Sequence, residues 1–125
     1  LPEIISKEPL GPVVRHGDNE WGDIVRWTLN ALIIAEEKGI TKDNAMEMAS
    51  AAGEDPETNR LLGTEGSYGE MLGLPKDWAA KAIAATGNYG EIFDEYLGPD
   101  TPIGLERGLN ASYTDGGILY SPPFR

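Results

Sequence analysis

The sequence has 125 residues and a mass of 13.5 kDa, the size of one domain, and its 40% hydrophobic and 25% charged composition is that of a globular chain rather than a disordered one. Ten basic against 21 acidic side chains leave a net charge of −11 and a pI of about 4.4, which disfavours nucleic acid and anionic membrane surfaces as partners because both would repel the chain. Cysteine is absent and His16 is the single histidine, so disulfides, thiolate chemistry and multi-histidine metal centres are excluded within this chain.

The chain opens at Leu1-Pro2-Glu3 without methionine, and the first twelve residues carry three prolines in an extended pattern. Leu10 to Arg15 reads as one short strand entered through Gly11-Pro12, where the missing proline donor is tolerated at a strand start or edge. One strand cannot satisfy its own backbone groups, so a partner is expected outside this polypeptide. His16-Gly17-Asp18-Asn19 reads as a turn, and Asp18 or Asn19 as the N-cap of a helix from about Glu20 to Lys38. Trp21, Ile24, Val25, Leu29, Leu32 and Ile33 follow helical spacing, Trp27 and Ile34 widen that face, and Gly39 is the expected stop.

Thr41 is expected to cap a second helix through about Ala52, with Ala45, Met46, Ala49 and Ala52 facing inward and Gly53 closing it. Asp55-Pro56 reads as a cap followed by proline in the first turn of a third helix, ending at Leu62-Gly63. Two blocks then echo each other 21 residues apart: Gly66-Ser67-Tyr68-Gly69-Glu70 and Gly87-Asn88-Tyr89-Gly90-Glu91. Each places a cap residue three positions before a glutamate, so both are expected to form capping boxes rather than units of a solenoid. Between them Lys76 to Thr86 reads as a helix with Trp78, Ala79, Ala82 and Ile83 inward; Tyr89 to Leu97 follows, stopped by Gly98-Pro99. Leu105 to Tyr113 is a candidate last short helix, Asp115-Gly116-Gly117 a turn, Ile118-Leu119-Tyr120 an extended piece, and Pro122-Pro123 the end of regular structure. The segment therefore reads as helix-rich with one or two short strands, and no apolar run approaches the roughly 18–20 residues of a membrane span.

The residues carry no recognised catalytic or metal pattern. The acidic pairs Glu36/Glu37, Glu54/Asp55 and Asp94/Glu95 are adjacent on helices, so their side chains diverge by about 100° instead of converging across a cleft. Asp18, Asn19 and Glu20 lack the ligand spacing of a calcium loop and read as helix-start residues. His16 has no serine or carboxylate tied to it by a local motif and reads as a surface or hinge histidine. No phosphate-loop spacing occurs among the glycines. Trp21, Trp27 and Trp78 read as core aromatics, while Lys7, Glu8, Pro9 and Arg15, flanking the lone strand, could line a cleft or lie on a plain surface.

A family resemblance rests on several separate blocks. Ile4, Ser6-Lys7-Glu8-Pro9-Leu10-Gly11-Pro12-Val13-Val14-Arg15-His16-Gly17-Asp18 with Trp21 and Asp23-Ile24-Val25-Arg26-Trp27 resembles the late part of a periplasmic amino-acid-binding protein. Leu61 to Gly66, Tyr68-Gly69-Glu70, Asn88 to Phe93, Gly104 to Asn110, Thr114 to Gly117 and Pro122 to Arg125 continue the likeness, which is to the general L-amino-acid (AapJ-type) solute-binding proteins of bacterial ABC transporters, solute-binding protein family 3. The resemblance implies an α/β parent of two lobes (type II) and a chain matching its C-terminal part alone. Residues 1–18 would be the inter-lobe return segment and hinge strand, and residues 19–125 the helical part that completes the first lobe, with a C-terminal tail.

The implied function is non-enzymatic, periplasmic capture of an L-amino acid, delivered to the membrane permease of an ABC transporter by hinge closure, with no cofactor. Leu10, Gly11, Pro12 and Val13 are then hinge positions, and the main ligand contacts are expected upstream of Leu1, none of them placeable here. The implied partners are the missing N-terminal part, the amino acid and the permease, with no direct membrane insertion. Two readings compete: an enzyme on a similar two-lobed scaffold, which needs a convergent acid/base pair, and a stand-alone helical interaction domain, which needs autonomous folding. The missing methionine, the unpaired strand and the likeness together predict a fragment that is not a compact soluble monomer in isolation.

Overall fold

The computed structural model describes residues 10–125, which build six α-helices and two 3₁₀ turns. Helix α1 (Asn19–Glu37) starts where Asp18 accepts the Trp21 amide at 3.1 Å, with Glu20 in the first turn. It stops at Gly39, whose φ of +66° no other residue type adopts cheaply. There the Gly39 amide donates to Glu36 and the Ile40 amide to Ala35, the paired bonds of a Schellman end, and Ile40 is fully buried beside it. Its second half buries Ala31, Ile33, Ile34 and Ala35, while Trp21 and Leu29 remain exposed. Of the three tryptophans, Trp78 is core, Trp27 packs against the core edge, and Trp21 is a surface residue.

Helix α2 (Ala45–Met48) is one turn long, not the twelve-residue element the sequence suggests. Asn44, rather than Thr41, organises its start: its side chain accepts the Thr41 amide at 2.7 Å and donates to the Gly39 carbonyl. Ala45 is buried as expected and Ala49 packs on the core, but Met46 and Ala52 face outward. The Ser50 hydroxyl donates to Glu47 O at 2.6 Å, and buried Asn59 clasps both the amide and the carbonyl of Gly53. These side-chain bonds hold residues 50–53 in a loop in place of a helical ladder.

Helix α3 (Pro56–Leu62) has the expected bounds, with Asp55 accepting the Glu57 and Thr58 amides and Gly63 in the left-handed region. Helices α4 (Tyr68–Met71), α5 (Trp78–Thr86) and α6 (Tyr89–Tyr96) follow. The twin capping boxes diverge. Asn88 has an extended backbone (ψ 177°), its side chain accepts the Glu91 amide at 2.9 Å, and its own amide donates the reciprocal bond to the Glu91 carboxylate at 2.8 Å. Ser67 sits at ψ 28°, away from the extended backbone typical of a cap, and its hydroxyl makes no cap bond. Asn88 also donates to the buried Ile40 carbonyl, and Glu91 accepts the Lys42 amide, so one box ties α6 to the end of α1. Asn88→Ala is expected to cost about 2 kcal/mol, the cap plus an orphaned buried carbonyl, as measured by urea unfolding. Asn88→Ser keeps the cap alone and should recover about half; a loss below about 0.5 kcal/mol for the alanine variant contradicts this account.

Helix α5 is the centre of the core: α1, α2 and α3 pack on it, while α6 packs on α1. Ile34, Ile40, Leu61, Leu62 and Ile83 are fully buried, each stabilising the fold by roughly 1.5–3 kcal/mol. Ala80 joins Ala79 and Ile83 inside, and Phe124 closes the core from the C-terminal tail, beyond the prolines where regular structure ends. The candidate helix from Leu105 is replaced by 3₁₀ turns at Gly108–Asn110 and Tyr113–Asp115.

Neither expected strand forms a ladder among the described residues. An isolated parallel bridge between Ser112 and Leu119 is what the Ile118–Tyr120 piece achieves. Residues 10–15 take part in no sheet, since no strand lies alongside to accept and donate their backbone bonds.

Candidate functional site: the inter-lobe segment and the α1 carboxylate end

The positions expected to form a hinge lie at one end of the described chain. Leu10, Gly11, Pro12 and Val13 are exposed and irregular, and a Cβ at Gly11 would meet nothing within 4 Å. Val14 is half-buried, with Cγ2 at 3.6 Å from a Cβ placed on Gly22, so the segment rests on the first turn of α1 there. The Asp18 amide then donates to Arg15 O at 3.1 Å, closing the turn that carries His16. Arg15, His16, Asp18, Asn19, Asp23 and Arg26 line an open, largely polar depression. The Arg26–Asp23 pair at 3.7 Å is exposed and contributes little. Lys7, Glu8 and Pro9 lie outside the described residues.

The opposite end of α1 gathers charge. Arg107 grips Glu36 with both arms of its guanidinium, Nη1 to Oε1 at 2.7 Å and Nη2 to Oε2 at 3.1 Å, and both side chains are more than four-fifths buried. The guanidinium lies 5.4 Å from the Tyr89 ring centre and 5.2 Å from that of Phe93, and donates to the Asn110 carbonyl. The hydrogen bond to Glu36 raises the Arg107 pKa above its ordinary value. Next to it, the Tyr113 hydroxyl donates to Glu37 at 3.0 Å, and this bond raises the phenol's pKa.

Lys38 completes the cluster, reaching Glu57 at 2.9 Å and Asp55 at 3.1 Å. The Glu57 bond is the chief cause of its raised pKa. The Thr58 hydroxyl, then Lys38 and the Glu57 amide, hold the Asp55 carboxyl down at about 2. A cleft of about 430 Å³ lies between Glu37 and Glu57, floored by Ile34 and Pro123 and flanked by Tyr113 and Tyr120.

These carboxylates are therefore spent on cations, amides and hydroxyls. Glu36 and Glu37 diverge to different partners, as adjacent helical residues must. Among the described residues no group of three or more potential metal ligands converges. Arg107 belongs to the Gly104–Asn110 block of the family likeness, but its pairing with Glu36 is not legible in the sequence. Its available signal was an isolated arginine in a Gly/Pro-rich stretch of an acidic chain, and nothing local names Glu36 as its partner 71 residues away.

No protein-family model matches the chain. It is 63% identical over 125 residues to the "Glutamate/glutamine/aspartate/asparagine-binding protein BztA" of Rhodobacter capsulatus, covering 100% of this chain and 37% of the relative. It is 54% identical over 127 aligned positions to the "General L-amino acid-binding periplasmic protein AapJ" of Rhizobium johnstonii, again with 100% and 37% covered. It is 52% identical to the "Putative amino-acid ABC transporter-binding protein YhdW" of Escherichia coli, covering 36% of it. Among solved structures, an "ABC transporter / periplasmic binding protein from Brucella ovis with glutathione bound" superposes with a TM-score of 0.91 at 52% identity, over all of this chain and 39% of that one. The chain spans a little over a third of the length of the curated relatives it matches. From end to end, it is homologous to a segment of the periplasmic amino-acid-binding proteins of bacterial ABC transporters.

Proposed function

We propose that this chain is part of a two-lobed periplasmic solute-binding protein that captures an L-amino acid and presents it to an ABC permease by closing about a hinge. The observation that carries the reading is the unbroken match, at 52–63% identity, to proteins named for amino-acid binding, with the fold matched at a TM-score of 0.91. In this reading residues 1–18 form the return segment between lobes, and residues 19–125 complete the first lobe. The chain acts without catalysis, and its partners are the remainder of the protein, the amino acid and the permease.

Exposed apolar side chains support a larger assembly. Leu10, Val13 and Trp21 at the hinge end, and Met71 at the end of α4, are among the large apolar side chains open to solvent. Native and then denaturing mass measurement on the purified protein tests this first: a larger polypeptide carrying or accompanying these 125 residues supports the reading. Titration calorimetry with acidic, amide and aliphatic L-amino acids then gives the ligand class. A monomer of these residues alone that binds no amino acid overturns the reading in favour of a self-sufficient helical domain.

Leu10, Gly11, Pro12 and Val13 are the proposed hinge. Since a Cβ at Gly11 meets no neighbour, Gly11→Val acts through backbone freedom rather than a clash. In the complete binding protein it is expected to weaken amino-acid affinity by roughly threefold to tenfold and to reduce ligand-induced compaction in X-ray scattering. Unchanged affinity together with unchanged compaction removes these positions from the hinge.

A further inference from the structure

We propose that residues 105–120 form a strap that opens and recloses as one unit, shut by a latch in which Arg107 and Tyr113 engage the adjacent carboxylates Glu36 and Glu37. The two ends of the strap are fixed. At one end the Leu105 amide donates to Leu97 O at 2.8 Å; at the other Ser121 and Phe124 are buried. Between them the backbone is bonded chiefly to itself: Ile118 to Leu109, Leu119 to Ala111, Tyr113 to Leu119, and Gly117 to Ser112. Such a segment moves together or not at all.

Apolar packing holds it only lightly: Leu105, Leu109, Ile118 and Tyr120 are exposed, while Ala111 and Leu119 are half-buried. Polar tethers do the rest. Arg107 forks onto Glu36 and lies against the Tyr89 and Phe93 rings, Tyr89 pairs with the Asn110 amide, and Tyr113 donates to Glu37. A segment with exposed side chains and a few polar tethers belongs to the low-stability end of a fold, where sub-global opening occurs. Opening bares the Tyr89 and Phe93 rings and both α1 carboxylates without disturbing the α5 core.

Gly90 marks the latch seat. A Cβ there would lie 2.7 Å from Glu36 Oε1 and 2.9 Å from Arg107 Nη1, so a side chain at this position requires one or both of these side-chain ends to shift from the geometry of the pair. The absence of a side chain at 90 is thus matched to the pair it accommodates. This gives a way to spring the latch without removing either charge.

Native-state hydrogen exchange on the complete protein tests the device. The amides of Tyr113, Gly117, Ile118 and Leu119 are expected to exchange at one common opening rate, at least about tenfold faster than the amides of α5. Glu36→Gln and Gly90→Ala should each speed those four amides by about a further tenfold and leave α5 unchanged; Arg107→Lys, which keeps the charge but loses the fork, should fall between. The inference is overturned if the strap amides exchange only together with α5, if they exchange independently of one another, or if the latch variants leave them unmoved. Should a variant fail to fold, the wild-type pattern decides alone.

Discussion

Phe124→Ala is expected to destabilise the fold by about 3–5 kcal/mol, a large share of the 5–15 kcal/mol that holds a typical domain together. The side chain is 2% exposed, although it is the next-to-last residue of the sequence. Its ring meets Trp27 edge-on at 5.3 Å and Tyr68 at 5.7 Å, two aromatic contacts from different elements. The backbone is held as well, the Phe124 amide donating to Glu57 at 3.1 Å and the Arg60 guanidinium to its carbonyl at 3.3 Å. The tail therefore plugs the core and is pinned by charges on α3. Truncating the ring leaves a cavity between Trp27 and Tyr68 that the fixed backbone cannot collapse. Phe124→Leu, which keeps most of the apolar volume, should cost about 1–1.5 kcal/mol. Urea unfolding of the two variants separates the cases; an alanine variant within about 1 kcal/mol of wild type shows that the tail is not part of the core.

What the sequence reveals and what it hides follow from how far each interaction reaches. Asp55-Pro56 and Gly63 bound α3 correctly because cap, first-turn proline and left-handed stop all act within one helix. The Gly39 end of α1 was legible for the same reason. Asn88 and Ser67 carry the same local pattern, and one box forms while the other does not. The difference is a backbone angle set by tertiary context: Asn88 is anchored to Ile40 across the core, and Ser67 has no comparable anchor. The second helix is one turn long because Asn59, in the next helix, captures Gly53. Arg107–Glu36 and Phe124–Glu57 span 71 and 67 residues, and no periodicity connects such positions. The strand expected at Leu10–Arg15 depends on backbone partners that residues 10–125 do not supply, so its local sequence alone cannot make it a strand. Family likeness, by contrast, was legible from scattered blocks, and the match to the relatives runs over the whole chain.

Gly63→Ala should cost about 3 kcal/mol or more, far beyond an ordinary helix-end substitution. Two penalties coincide at this position. Its φ is +82°, where a Cβ is strained by about 1–2 kcal/mol. In addition, the Cβ would overlap the Lys76 carbonyl oxygen and sit 2.6 Å from the Lys76 carbonyl carbon and 3.2 Å from the Asp77 nitrogen. All of these are backbone atoms, which cannot rotate aside as a flexible side chain would. They belong to the turn that launches α5, so relief of the clash requires shifting the helix on which α1, α2 and α3 pack. Gly39→Ala supplies the control. Its φ is +66°, but its Cβ would find nothing within 4 Å, so it should suffer the conformational penalty of about 1–2 kcal/mol and no more. The difference between the two variants in urea unfolding is the free energy of the close approach between α3 and the α5 turn. Equal losses would mean that the loop at Lys76 yields freely, and that α5 is seated by its buried face of Trp78, Ala79, Ala80 and Ile83 alone.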